Sequence, residues 1–78
     1  MFESAARWLP LALRSKLLPA IDLLAVRLAL AAIDADGRER AVNLALPSLA
    51  DGAFTAQLRQ LLADAPRAAR GLWLEVSE

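Results

Sequence analysis

The sequence has no cysteine and no histidine, and these two absences remove much of the side-chain chemistry on which small proteins rely. Without cysteine there is neither a disulfide framework nor a thiolate nucleophile. Without histidine the commonest general base and zinc ligand is gone, and no Ser–His pair can form. Neither sign of charge prevails: nine basic residues balance nine acidic ones and the pI is near 6.2, so no basic field exists to attract a nucleic-acid polymer or anionic lipid. Long apolar runs are missing too. The longest, Leu17 to Ile33, is interrupted by Asp22 and Arg27, whereas a spanning helix needs about 20 predominantly apolar residues. No membrane segment is expected in this chain. The first residues lack the basic start, apolar centre and small-residue cleavage site of a secretory signal, and the expected location is cytoplasmic. No G-x-G-x-x-G, P-loop or nucleophile elbow is present.

What the chain has in excess is apolar surface. Hydrophobic residues make up 58% and the mean hydropathy is +0.40, against about 45–50% for ordinary soluble domains. A chain of 78 residues makes one small domain at most and buries only a modest fraction of its unfolded surface. Such a chain is expected to associate, either with copies of itself or with the rest of a larger core.

Two stretches organise the chain. Ala41 to Leu46 and Leu72 to Glu78 each alternate aliphatic residues with small or polar ones, the period-two pattern of a strand. Val42, Leu44 and Leu46 share one face of the first, and Ala41, Asn43 and Ala45 share the other. In the second, Leu72, Leu74 and Val76 oppose Trp73, Glu75 and Ser77. Asn43 and Glu75 stand out as oxygen-bearing side chains within otherwise apolar strands. On residue type alone, Asn43 suits a structural amide hydrogen-bonded in the sheet, and Glu75 a surface carboxylate at a strand end.

Around these strands the spacing predicts helices. Pro10 suits the first turn of a short helical stretch, Leu11 to Leu18, and Met1 to Arg7 is alanine-rich enough to be helical. Pro19 punctuates and opens a second helix, Ala20 to about Ile33, apolar nearly all round with Asp22 and Arg27 as its main polar points, hence expected to be buried on more than one side. Asp34-Ala35-Asp36-Gly37 ends it with a left-handed glycine. The two aspartates lack the further ligands of a calcium loop and read as a turn. Pro47 closes the first strand. Asp51 is expected to cap a third helix, Ala53 to about Ala65, whose Phe54, Leu58, Leu61 and Leu62 fall at helical spacing. Pro66 stops it, and Arg67 to Gly71 are expected to form a loop whose arginines are solvated. Strand, helix and strand in this order make a parallel βαβ unit with a right-handed crossover. The aliphatic strand faces should meet helices, and the Asn43/Glu75 faces should look into a sheet that closes.

At these residues the chain resembles the EAL domain, the bacterial cyclic-di-GMP phosphodiesterase family, from Trp8 to Glu78. Trp8-Leu9-Pro10-Leu11-Ala12 resembles its F-I-P-L-A-E segment, and Ile21-Asp22 with Ala29-Leu30 resembles positions of the helix that follows. Asn43-Leu44-Ala45 resembles the N-L-S motif. Leu49, Asp51 and Phe54 fit the L-x-D-x-x-F after it, and Glu75-Val76-Ser77-Glu78 resembles E-[ILV]-T-E. The separation of Asn43 from Glu75 also fits the family.

The resemblance implies an α/β fold in which the chain is a fragment of a TIM-like (β/α) barrel: residues 1–78 as a partial EAL domain, with helices followed by one parallel βαβ unit. A full barrel has roughly 250 residues. The E-A-L-x-R segment and the later D-D-F-G aspartates, lysine and glutamates are expected outside this chain. The implied activity is hydrolysis of cyclic di-GMP to the linear dinucleotide with Mg²⁺ or Mn²⁺. Asn43 and Glu75 fall on two metal-ligand positions, while no catalytic residue is assigned within the chain, which should not catalyse alone. Leu13, Lys16 and Ala45 replace the usual glutamate, glycine and serine, as in degenerate members that bind cyclic di-GMP without cleaving it. A non-catalytic interaction or assembly module is the third alternative, through exposed strand edges and apolar surface. Glu78 reads as solvated or structural, and Trp73 as a core or barrel-interior aromatic.

The partners expected are therefore cyclic di-GMP, and either a homo-oligomer or the remainder of the EAL domain. The isolated polypeptide is predicted to sediment as oligomers or aggregate. A monomer with cooperative unfolding contradicts that expectation.

Overall fold

The computed structural model describes residues 11–77, with side chains described from Leu17 to Val76. The helix expected over Met1 to Arg7, the Trp8-Leu9-Pro10 segment and Glu78 lie outside these residues.

A single long helix, α1 (Leu11–Asp36), opens the described chain. The predicted break at Pro19 does not occur: the proline sits inside the helix. Its nitrogen has no hydrogen to donate to the carbonyl one turn earlier, a local cost. The alanine- and leucine-rich sequence on both sides, and the packing of the stretch after the proline, outweigh it. Nor is α1 buried on more than one side. Leu23, Val26, Ala29, Leu30 and Ile33 are in the core, while Leu17, Leu24 and Leu28 are exposed. Of its two main polar points, Arg27 is exposed and Asp22 is buried at 7% exposure.

The helix ends where predicted. Gly37 has φ +73° and its N–H donates to Ile33 O at 2.7 Å, a left-handed cap that a side chain would strain. Three residues later β1 (Arg40–Ala45) begins. Asp36 fastens this corner. Its two carboxylate oxygens accept from the Arg40 guanidinium at 2.8 and 2.6 Å, and Oδ1 also accepts from Arg38 N at 2.9 Å.

Leu46, expected as the last residue of the strand, instead starts a short helix, α2 (Leu46–Leu49), with Pro47 in its first turn. The proline's fixed φ suits that position. Next comes α3 (Gly52–Asp64), whose N-cap is Asp51, accepting from Phe54 N at 3.0 Å. Phe54 is 1% exposed and Leu58 is buried, while Gln57, Arg59, Gln60 and Asp64 face outward, as the spacing predicts. The stretch expected as a loop contains one more helical turn, α4 (Pro66–Ala69). Pro66 ends one helix and starts the next, and Ala68 is small enough to be buried.

Gly71 then passes close to α1, where a Cβ would lie 3.2 Å from Ile33 Cγ2. Its carbonyl accepts from Arg40 N at 2.9 Å, bringing the starts of the two strands together. Strand β2 (Leu72–Ser77) lies parallel to β1 with Arg40 opposite Leu72 and Asn43 opposite Glu75. Strand, helices and strand thus form the predicted parallel pair.

The core lies on one side of this sheet, where Val42 and Leu44 meet Val26, Leu30 and Ile33 of α1, with Phe54, Leu58 and Ala68 completing it. Burying a side chain the size of Phe54 contributes about 2–3 kcal/mol. The expectation that both aliphatic strand faces meet helices holds only for β1. Leu74 is 37% exposed and Val76 52%, because α1 lies over β1 and reaches little of β2. Among the described residues no helix is long and apolar enough to cross a membrane.

The guanidinium contact, with help from Arg38 N, holds the Asp36 carboxyl down at about 2 from an ordinary 3.8. A carboxyl depressed by folding contributes its stability fully above the unfolded value of 3.8, and that contribution is lost as pH falls through about 2. In Arg40→Gln the Asp36 titration, followed by carboxyl ¹³C shifts, should move up toward the ordinary value. An unmoved midpoint contradicts the pairing.

Candidate functional site

Alternation along each strand decides which side chains share the open side of the sheet. With Val42 and Leu44 committed to the core, Ala41 and Asn43 turn the other way and are exposed. In β2, Trp73 and Glu75 have the corresponding parity and are exposed as well. The register then makes Asn43 and Glu75 direct neighbours across the pair, at the roughly 4.8 Å strand spacing. Each is the fourth residue of a six-residue strand, so both sit toward the carboxyl ends. Parallel strands bring those ends to the same end of the sheet.

Among the described residues, no side-chain hydrogen bond or ion pair involves Asn43 or Glu75. Among the described residues the structural-amide reading of Asn43 finds no side-chain partner. An amide oxygen and a carboxylate side by side offer the hard donors that Mg²⁺ and Mn²⁺ prefer. Among the described residues, no group of three or more acidic, histidine or cysteine side chains could hold a metal ion.

Trp73 borders the pair, two residues before Glu75 on the same parity. It is 60% exposed, and its Nε1 donates to Glu39 Oε1 at 3.2 Å. In this chain it is no core residue. Arg67 and Arg70 lie elsewhere, lining with Asp34, Glu39 and Gly71 a groove at the amino ends of the strands, the opposite end from Asn43 and Glu75. Asp34 and Asp36 form the helix-ending turn rather than a metal loop.

One residue escaped the sequence reading of function. Asp22, in α1, accepts from Ala45 N at 2.8 Å and from Ser48 Oγ at 2.7 Å, both on Oδ2. Ser48 is completely buried. The available signal was a lone carboxylate within an apolar helical run, which burial tolerates only when its oxygens are satisfied.

No known protein family, curated protein or solved structure matches this chain.

Because Asn43 and Glu75 are exposed and make no side-chain hydrogen bond among the described residues, Asn43→Ala and Glu75→Ala should each change unfolding free energy by no more than about 0.5 kcal/mol. A loss of about 1–3 kcal/mol, measured by urea denaturation, would instead mark a structural hydrogen bond.

Proposed function

We propose that this chain is the metal-binding βαβ portion of an EAL-type domain that hydrolyses cyclic di-GMP to the linear dinucleotide. One observation carries the reading: Asn43 and Glu75, which resemble the family's N-L-S and E-[ILV]-T-E ligand positions, are register partners on the open side of two parallel strands. Ligand and metal sites in α/β barrels lie at the carboxyl ends of strands, where this pair lies. The chain supplies two oxygen ligands, and the remaining ligands belong to segments that the reading places elsewhere in the complete barrel. A divalent cation bound there would supply charge neutralisation at the phosphate and a more acidic water. The residues of this chain contribute by holding an amide oxygen and a carboxylate side by side on the open sheet face. The reading carries with it a barrel interior on the Asn43/Glu75 side, a cytoplasmic location and dependence on Mg²⁺ or Mn²⁺.

A receptor that binds cyclic di-GMP without cleaving it is the second reading, favoured by Ala45 where the family has serine. The discriminating experiment is calorimetric titration of cyclic di-GMP with and without Mn²⁺, followed by chromatography of the linear product. It is applied to this chain and to the complete barrel that the reading implies. Turnover is expected from the complete barrel only, with Asn43→Ala or Glu75→Ala lowering it by about 10²-fold or more. Binding without turnover supports the receptor. Absence of binding in both, or hydrolysis that survives both substitutions, contradicts the reading.

A further inference from the structure

Asp22 has no part in the chemistry proposed above, yet it is a carboxylate at 7% exposure with no ion-pair partner among the described residues. A buried charge of this kind is costly unless its hydrogen bonds do something that an apolar residue could not. Its two donors come from either side of one junction. Ala45 is the last residue of β1, and Ser48 is in the turn of helix that follows. At Ala45 the backbone is still extended, with φ −77° and ψ 141°, and its methyl side chain offers no cap to the helix it precedes. From α1 the Asp22 carboxylate therefore accepts the N–H of the residue that precedes the helix, the bond that a Glu or Gln at the third helical position makes in a capping box.

The junction lies two residues beyond Asn43. In a two-stranded sheet β1 is paired along one edge only, and a strand that slips by one residue turns every side chain to the opposite face. The Arg40–Gly71 and Arg40–Asp36 bonds fix the start of β1. The bonds to Asp22 fix its end. We infer that Asp22 is a positioning residue for the candidate metal site: it anchors the carboxyl end of β1 to α1 and so keeps the Asn43 amide on the open face beside Glu75. The part of this inference that concerns metal affinity rests on the function proposed above; the part that concerns Asn43 orientation does not.

Both donors converge on a single oxygen, so an asparagine carbonyl can accept both, whereas leucine can accept neither. This gives a conservative variant and a disruptive one of similar size. In ¹⁵N-labelled chain, Asp22→Leu should speed exchange of the Ala45 amide and lower the heteronuclear NOE of the Asn43 side-chain amide. The Val42 and Leu44 amides should stay protected. Mn²⁺ affinity, read by electron paramagnetic resonance, should fall about tenfold, the scale on which outer-shell partners of metal ligands act. Asp22→Asn should restore all three readouts. Should Asp22→Leu fail to fold, Ser48→Ala removes one donor and is expected to shift the same readouts less far in the same direction.

Unchanged Asn43 order and Mn²⁺ affinity in the folded Asp22→Leu or Ser48→Ala chain would overturn the inference, as would an equal loss in Asp22→Asn. If neither the unsubstituted chain nor the complete barrel binds Mn²⁺, the metal reading fails separately. The Asn43 order measurement then still decides whether Asp22 positions that side chain.

Discussion

The parallel, in-register pairing of Arg40–Ala45 with Leu72–Ser77 is the constraint on which the rest of this molecule depends. A parallel pair cannot be closed by a tight turn, so the chain between its strands must cross over and bring them into register from a distance. Three contacts set that register at the amino ends. Gly71 O receives Arg40 N, Arg40 is clasped by Asp36, and Gly71 itself approaches Ile33 closely enough that no side chain fits comfortably. At the other end of β1 the buried Asp22 carboxylate takes hold of Ala45 and Ser48. With both ends of β1 pinned, alternation does the rest: Val42 and Leu44 go inward, and Asn43 goes outward beside Glu75.

Cover on one side only is the second physical theme. Helix α1 lies over β1, and its inward stripe builds the core with Phe54 and Leu58. It leaves Leu74 and Val76 of β2, with Leu24 and Leu28 of its own outer side, in contact with solvent. Parallel sheets are ordinarily covered on both faces, and the apolar excess of the composition is found on these uncovered surfaces. The open face differs in kind. It carries Asn43, Glu75 and Trp73, a polar and aromatic surface suited to a site.

Much of this was legible in the residues. The strand parities followed from period-two alternation, which burial of Val42 and Leu44 enforces directly. The third helix was legible because Asp51 caps it and Phe54 and Leu58 recur on one stripe. Gly37 announced a left-handed turn. What the sequence concealed depended on contacts distant along the chain. Whether Pro19 breaks a helix turns on how well the rest of that helix packs. Which side of α1 is inward could not be read from a segment apolar on both sides. The role of Asp22 becomes visible only when Ala45 and Ser48, far along the chain, are seen to meet it. Asn43 and Glu75 stood out as the oxygen-bearing residues of their strands, but their adjacency required the register. Short helices such as α2 and α4 are too brief for periodicity to reveal.

The central claim is that register places two oxygen ligands where one divalent cation can reach both. Paramagnetic broadening by substoichiometric Mn²⁺ in the ¹⁵N spectrum of this chain tests it most directly. The account predicts that the Asn43 side-chain amide and the Glu75 backbone amide broaden first and together, and that Glu75→Ala abolishes the effect at both. Broadening centred on Asp34, Asp36 or Asp64, or none around Asn43 and Glu75 at millimolar Mn²⁺, would contradict it.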